Sequence, residues 1–197
     1  EKPHKWIITG SRKSVYESGV IENLENYRLP RNIHQVIGVA PGELVACHSA
    51  QIPGKKRRYA ESALPYALEE KLTEDVENLH FKLLSWQPDG VALAAVVSRE
   101  NLSHWISSFS MNGIRLDAIV ADYFLLPQHP KGLVTISLGQ DDRVFVRRGK
   151  FQGFTVDRAG FEFWLGSQDP SGLTFSVTDL DFARSLQNSL LPEESST

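Results

Sequence analysis

At 197 residues, with 41% apolar and 23% charged side chains, the chain has an ordinary globular composition and the length to bury a core. A net charge of −3 is too mild to argue for a nucleic-acid binder, and the single cysteine, Cys47, excludes an internal disulfide and a cysteine-rich zinc site. No run approaches the ~18–20 consecutive apolar residues that span a bilayer.

No signal peptide is visible. The chain starts at Glu1 and stops in the polar "LPEESST", so a piece of something longer is expected.

Taken in order, Trp6 to Thr9 and Val15 to Ile21 read as paired strands around "GSRKS". Val36 to Ala40 and Leu44 to Ile52 are two further strand runs, punctuated by Pro41-Gly42 and closed by Pro53-Gly54. Between 55 and 79, Ala60, Leu64, Leu68, Leu72, Val76 and Leu79 keep one helical face. Pro65 should kink or restart that helix, and Thr73 should cap a further piece. His80 to Trp86 and Val91 to Val97 form a hairpin around "QPDG". Ser98 opens a helix whose buried face is Leu102, Trp105, Ile106 and Phe109, and Gly113 ends it. Ile114 to Val120 is a strand, followed by a helical turn at Asp122 to Leu126. Leu133 to Leu138, Arg143 to Arg148 and Phe151 to Asp157 are successive strands. A helix over Arg158 to Leu165, a strand over Thr174 to Val177 and a weak helix over Leu180 to Leu190 complete an α/β chain of mixed sheets.

Glu77 and His80 have the spacing that shares a helix face in di-iron bundles. Such a site takes a second copy of the motif, which the chain lacks, so a structural role outweighs metal binding. Cys47 and His48 are strand neighbours on opposite faces and cannot act as nucleophile and base; Cys47 reads as a small buried hydrophobe. "GSRKS" lacks the Walker pattern. The run Lys55, Lys56, Arg57, Arg58 is either a solvated helix start or a contact for anionic lipid headgroups; no interleaved aromatics favour a nucleic acid. Arg143, Arg147, Arg148 and Lys150 make a second basic cluster. The acids Glu69, Glu70, Glu74, Asp75 and Glu77 stand against Lys71 alone, as a solvated face or as a docking face for a basic partner. On one continuous helix, cations at the amino end and acids at the carboxyl end oppose the helix dipole; a restart at Pro65 relieves this.

The stretch "SALPYALEEKLTEDVENLHF" resembles the cytoplasmic domain of type II secretion system protein L (general secretion pathway protein L). The resemblance is carried by Leu64-Pro65-Tyr66, Leu68-Glu69-Glu70, Asp75-Val76-Glu77 and His80-Phe81. "VIGVAPGELVACHSAQIP", as a strand pair, precedes it, and "MNGIRLDAIVADYFLLP" and "GLVTISLGQDDRVFVRRGKFQG" follow. It implies an actin-like, ribonuclease-H-related α/β fold of mixed sheets split by a small inserted hairpin-plus-helix subdomain. Residues 1–53 would be the first β-rich part, 54–126 the helix and insert, and 127–197 the second β-rich part and tail.

The implied function is a non-enzymatic scaffold without cofactor or metal, on the cytoplasmic side of the bacterial inner membrane. It would recruit the secretion ATPase (the E component) by that enzyme's N-terminal domain. The M component and self-association would use regions outside this chain. The candidate partner-binding residues are Glu69, Glu70, Glu74, Asp75 and Glu77, with the hairpin edge over 80–98; Lys55, Lys56, Arg57 and Arg58 are the candidate lipid contacts. The competing reading is an actin-like nucleotide-binding protein of a pilus-assembly type. Against it, "ISLGQDDR" carries Ser137 where the phosphate-binding hairpin of that class wants Asp, and Asp141 and Asp142 fall past the turn, so the fold would keep the shape without the nucleotide chemistry.

Overall fold

The computed structural model describes residues 4–9, 15–22, 24–54, 56–129, 133–168 and 174–177. "GSRKS", Lys55 and the expected helix over 180–190 lie outside them. The chain divides into two compact units, Glu1–Gly38 with Glu100–Ile119, and Val39–Arg99 with Val120–Thr197.

In the first unit, β1 (His4–Thr9) and β2 (Val15–Ile21) form an antiparallel hairpin, with Trp6 opposite Gly19 and a register shift at Ile8/Thr9. Helix α2 (Arg99–Ser110) ends at Gly113, whose φ of +72° suits a residue without Cβ. The expected buried face of α2 is shallower than its periodicity implies. Leu102, Trp105 and Phe109 are half-buried, and Ile106 is exposed. The strand expected from Ile114 is also shorter. Ile114 N–H is bonded back to the Phe109 carbonyl (3.0 Å), and Asp117 exchanges two hydrogen bonds with the Val36 backbone. The strand β7 therefore spans only Ala118–Ala121. It pairs with β3 (Ile37–Ala40).

The second unit holds two larger sheets. The first has strand order β4-β6-β5, with β4 (Ala46–Gln51) and β5 (Leu79–Trp86) both antiparallel to β6 (Val91–Ser98). Helix α1 (Arg57–Leu68) lies on it. Small residues of the sheet, Ala50, Ala92 and Ala94, let the helix approach closely, and Leu64, Leu68, Leu79 and Leu83 fill the space between. The strand runs at 36–40 and 44–52, expected as a strand pair, do not pair with each other. After Pro41 the chain enters a 3-10 turn (Gly42–Leu44) rather than reversing, so β3 and β4 part to different sheets.

The second sheet has strand order β10-β9-β8-β11. Strands β8 (Leu133–Leu138), β9 (Arg143–Arg147) and β10 (Gly153–Asp157) are antiparallel in sequence. Helix α3 (Arg158–Gly166) follows, its first turn capped by the Asp157 carboxylate, which accepts from Gly160 N–H at 2.7 Å. Strand β11 (Thr174–Val177) then returns parallel to β8. Three antiparallel strands, a helix and a parallel fourth strand beside the first fit the actin-like expectation from the resemblance. Val134, Thr135 and Ile136 are consecutive buried residues, so β8 is covered on both faces. The Thr135 hydroxyl is satisfied there by the Pro127 carbonyl (3.0 Å).

Candidate functional site

Helix α1 does not restart at Pro65. It runs unbroken through it to Leu68, because Ala60, Leu64 and Leu68 are anchored in the core on both sides of the proline. A single 3-10 turn (Glu69–Lys71) follows, Leu72 is extended, and a second 3-10 turn (Val76–Asn78) leads into β5. Asp75, not Thr73, precedes that second turn, and its side chain makes no capping bond. The relief expected from a restart is therefore missing. Arg57 and Arg58 occupy the first turn of α1, and Glu69 and Glu70 follow its carboxyl end, each against the helix dipole.

All five acids of the segment are exposed, and none forms an ion pair among the described residues. The nearby cation Lys71 is committed elsewhere, donating to the Ser49 carbonyl of β4 at 2.8 Å. Arg99 fastens the base of the segment by donating to the Glu77 carbonyl (2.9 Å). The basic run is less uniform than its sequence. The Arg57 guanidinium donates to Glu61 (3.1 Å) and to the Leu83 carbonyl of β5 (2.8 Å). Lys56 and Arg58 both lie against the Tyr59 ring.

Strand β5 is an edge of its sheet. Its register shifts between Leu83 and Ser85, and Arg57 occupies the Leu83 carbonyl at that shift. Both devices blunt the distal half of the edge. The regular stretch from Leu79 to Lys82, directly after the acids, pairs with no second strand among the described residues.

Glu77 sits on a 3-10 turn and His80 on a strand, so the pair does not share a helix face. Among the described residues no group of three His, Cys, Asp or Glu side chains is placed to hold a metal ion. Burial, then Arg99 and Lys82, lowers the His80 pKa, and burial with Lys71 lowers that of His48. Cys47 and His48 are successive residues of β4, opposite Ala95 and Ala94. The Cys47 thiol turns to Tyr123, with Sγ 3.2 Å from the phenol oxygen, and the Tyr123 hydroxyl also donates to the Val45 carbonyl (3.1 Å). Tyr123 is fully buried, and burial pushes both the phenol and the thiol above their ordinary pKa ranges. A Cβ on Gly42 or Gly153 would collide with the Tyr123 ring, so the two glycines admit this side chain.

At the turn after β8, Asp141 and Asp142 both adopt positive φ, and the Asp142 carboxylate accepts from Arg158 Nε at 3.0 Å. Gly139 is covered by the Phe145 ring. The second basic cluster is dispersed into structural roles. Arg147 donates to the carbonyls of Phe124 (2.8 Å), Leu126 (2.5 Å) and Gly149 (3.0 Å), while Arg143 reaches Glu43 (3.4 Å) and Arg148 faces Trp164.

The outward face of α1 was not read from the sequence. Tyr59, Ser62 and Tyr66 recur at spacings of three and four, opposite Ala60, Leu64 and Leu68, and the two tyrosines are 55% and 77% exposed. The signal lay in the same periodicity that marks the buried face.

A family profile described as type II secretion system (T2SS), protein L, matches residues 1–195. The chain belongs to that family. The protein L of Vibrio cholerae is 29% identical over 163 residues, covering 77% of this chain and 38% of that protein. That of Dickeya chrysanthemi is 26% identical over 132 residues, covering 67% and 33%. The chain thus spans little more than a third of the length of these relatives. The fold matches the cytoplasmic domain of EpsL, an inner-membrane component of the Vibrio cholerae type II secretion system, with a TM-score of 0.75 at 23% identity over 90% of this chain and 76% of that one. It also matches the PilM–PilN type IV pilus biogenesis complex, with a TM-score of 0.51 at 11% identity over 81% of this chain and 60% of that one. The fold is actin-like, with mixed α/β sheets. No helix among the described residues is long and apolar enough to cross a membrane.

Proposed function

We propose that this protein L chain is the non-enzymatic cytoplasmic scaffold of an inner-membrane secretion platform and recruits the secretion ATPase. The ATPase surface is the segment from Glu69 to Glu77 together with the regular stretch of the β5 edge that follows it. The observation carrying this assignment is that Glu69, Glu70, Glu74, Asp75 and Glu77 are all exposed and without an ion pair among the described residues, beside an edge strand. A patch of one charge steers a basic partner and fixes its orientation, and a free edge offers main-chain hydrogen bonds. Family membership supports a partner within the secretion machinery.

Reversing Glu69, Glu70 and Glu74 together to Lys should weaken binding of the ATPase N-terminal domain by about tenfold or more, and should flatten its salt dependence. Affinity unchanged by the triple reversal would remove the acids from the interface.

A further inference from the structure

We propose that the amino end of α1 is a contact site for an anionic phospholipid bilayer, which meets the helix end-on. Lys56, Arg57 and Arg58 are all exposed there, and Lys55 precedes them in the sequence. Lys56 and Arg58 form no ion pair among the described residues. Both lie against the Tyr59 ring, 6.0 and 4.9 Å from its centroid, and the Arg58 guanidinium also donates to the Tyr59 hydroxyl (3.1 Å). Tyr59 is 55% exposed, an amphipathic ring of the kind that settles at headgroup level. The platform beneath is tied down. The Trp86 indole N–H donates to the Ile52 carbonyl (3.0 Å), Gly54 lies beside the Trp86 ring, and Arg57 is held to β5 through the Leu83 carbonyl.

The sequence gives up local helix stability to put these charges here. The first turn of α1 holds no acid, and Lys56 at the cap position supplies no side-chain bond, although the positive end of the dipole favours acids and oxygen-bearing caps. The same positive end adds to the potential that an anion meets. The acids stand at the opposite end. About 20 Å of helix separates Lys56 from Glu69, more than twice the ~8 Å Debye length at physiological salt. A bilayer at the amino end therefore meets cations, with two exceptions that are already engaged. Glu61 is held by Arg57 (3.1 Å), and the Asp89 carboxylate accepts from Val91 N–H (3.1 Å). The patch is a tip rather than a stripe. It suits a plane of mobile headgroups better than a nucleic acid, which tracks along an extended groove and would be repelled by the rest of a chain of net charge −3. The choice of a bilayer as the anion rests on the inner-membrane placement proposed above. In this orientation the acids of 69–77 point away from the lipid, toward a basic protein.

The test is co-sedimentation of the whole 197-residue chain with vesicles at low ionic strength. Vesicles of phosphatidylethanolamine and phosphatidylglycerol are compared with vesicles of phosphatidylcholine alone. The wild type is compared with Lys56→Glu/Arg58→Glu, with the conservative Lys56→Arg/Arg58→Lys, and with Arg31→Glu/Arg115→Glu, which makes the same charge change at exposed positions of the other unit. The wild type, the conservative variant and the Arg31/Arg115 control should pellet with the anionic vesicles only, and high salt should release them. Lys56→Glu/Arg58→Glu should partition at least about twentyfold more weakly, since each cation near an anionic surface contributes about fivefold. Circular dichroism confirms that each variant is folded. The ATPase titration needs no lipid, so failure here and failure of the recruitment reading are separate results. The proposal is overturned by a wild type that does not pellet, by a control that loses as much as the double reversal, or by tighter binding to a single-stranded oligonucleotide than to the vesicles, which would make the patch a nucleic-acid contact.

Discussion

Gly42, Tyr123, Cys47 and Asp122 meet at one junction, and its tightness sets two expectations at the residue scale. A Cβ at Gly42 would fall far inside van der Waals contact of the Asp122 carboxylate, the Thr155 hydroxyl and the Tyr123 ring at once, and the Thr155–Asp122 hydrogen bond (2.6 Å) keeps those atoms from moving aside. Gly42→Ala should therefore cost about 1–3 kcal/mol, read as a lower urea midpoint at unchanged slope. A neutral substitution would mean that the Pro41-Gly42 turn can shift.

The second expectation concerns the Cys47 thiol. Burial holds its pKa up, against the opposing effect of hydrogen bonding with the Tyr123 hydroxyl and the Gly153 backbone. The folded thiol keeps its proton to higher pH than the unfolded one, so above about pH 8.5 the unfolded state binds fewer protons and stability falls as pH rises. The raised Tyr123 phenol acts the same way above about pH 10. His48 and His80, with lowered pKa values, contribute stability that is lost as pH falls below about 6.5. Thermal midpoints between pH 8 and 10 should decline more steeply for the wild type than for Cys47→Ala. Parallel declines would show that the thiol titrates normally in the fold.

At the scale of elements, α1 shows what local pattern can and cannot specify. Its apolar spacing and the strand runs around it were legible, because turn residues such as those of "QPDG" separate segments of clear period. Its end was not. Leu72, Val76 and Leu79 prolong the same spacing, yet Leu79 is buried as the first residue of β5. Pro65 was read as a break because local sterics disfavour it, but the anchoring of Leu64 and Leu68 overrides that preference. The pairing of β3 with β7 was equally hidden, since Pro41-Gly42 looks like a hairpin turn and the distinction lies in contacts remote along the chain. If α1 tolerates Pro65 rather than needing it, Pro65→Ala restores an interior hydrogen bond and raises stability, by up to about 3 kcal/mol. A lowered denaturation midpoint would instead assign Pro65 a packing role. Leu64→Ala should cost about 2–5 kcal/mol, because that side chain is enclosed between helix and sheet.

At the scale of the whole molecule, the chain pairs an actin-like fold with an exposed acidic segment that the proposed function takes as an attachment point. The acidic segment was legible as a charge run, but its lack of an ion pair among the described residues was not, because only the fold shows Lys71 turned to Ser49. The place where a nucleotide-binding relative would want an Asp holds Ser137, and Asp142 is engaged by Arg158. Millimolar Mg-ATP should accordingly leave the thermal midpoint unchanged, whereas a ligand of the native state would raise it; an upward shift would revive the nucleotide reading.

Recruitment of the ATPase is decided by calorimetric titration of this chain with the N-terminal domain of the cognate secretion ATPase, which should give a one-to-one complex of micromolar affinity or tighter. A folded sample that binds nothing would contradict it.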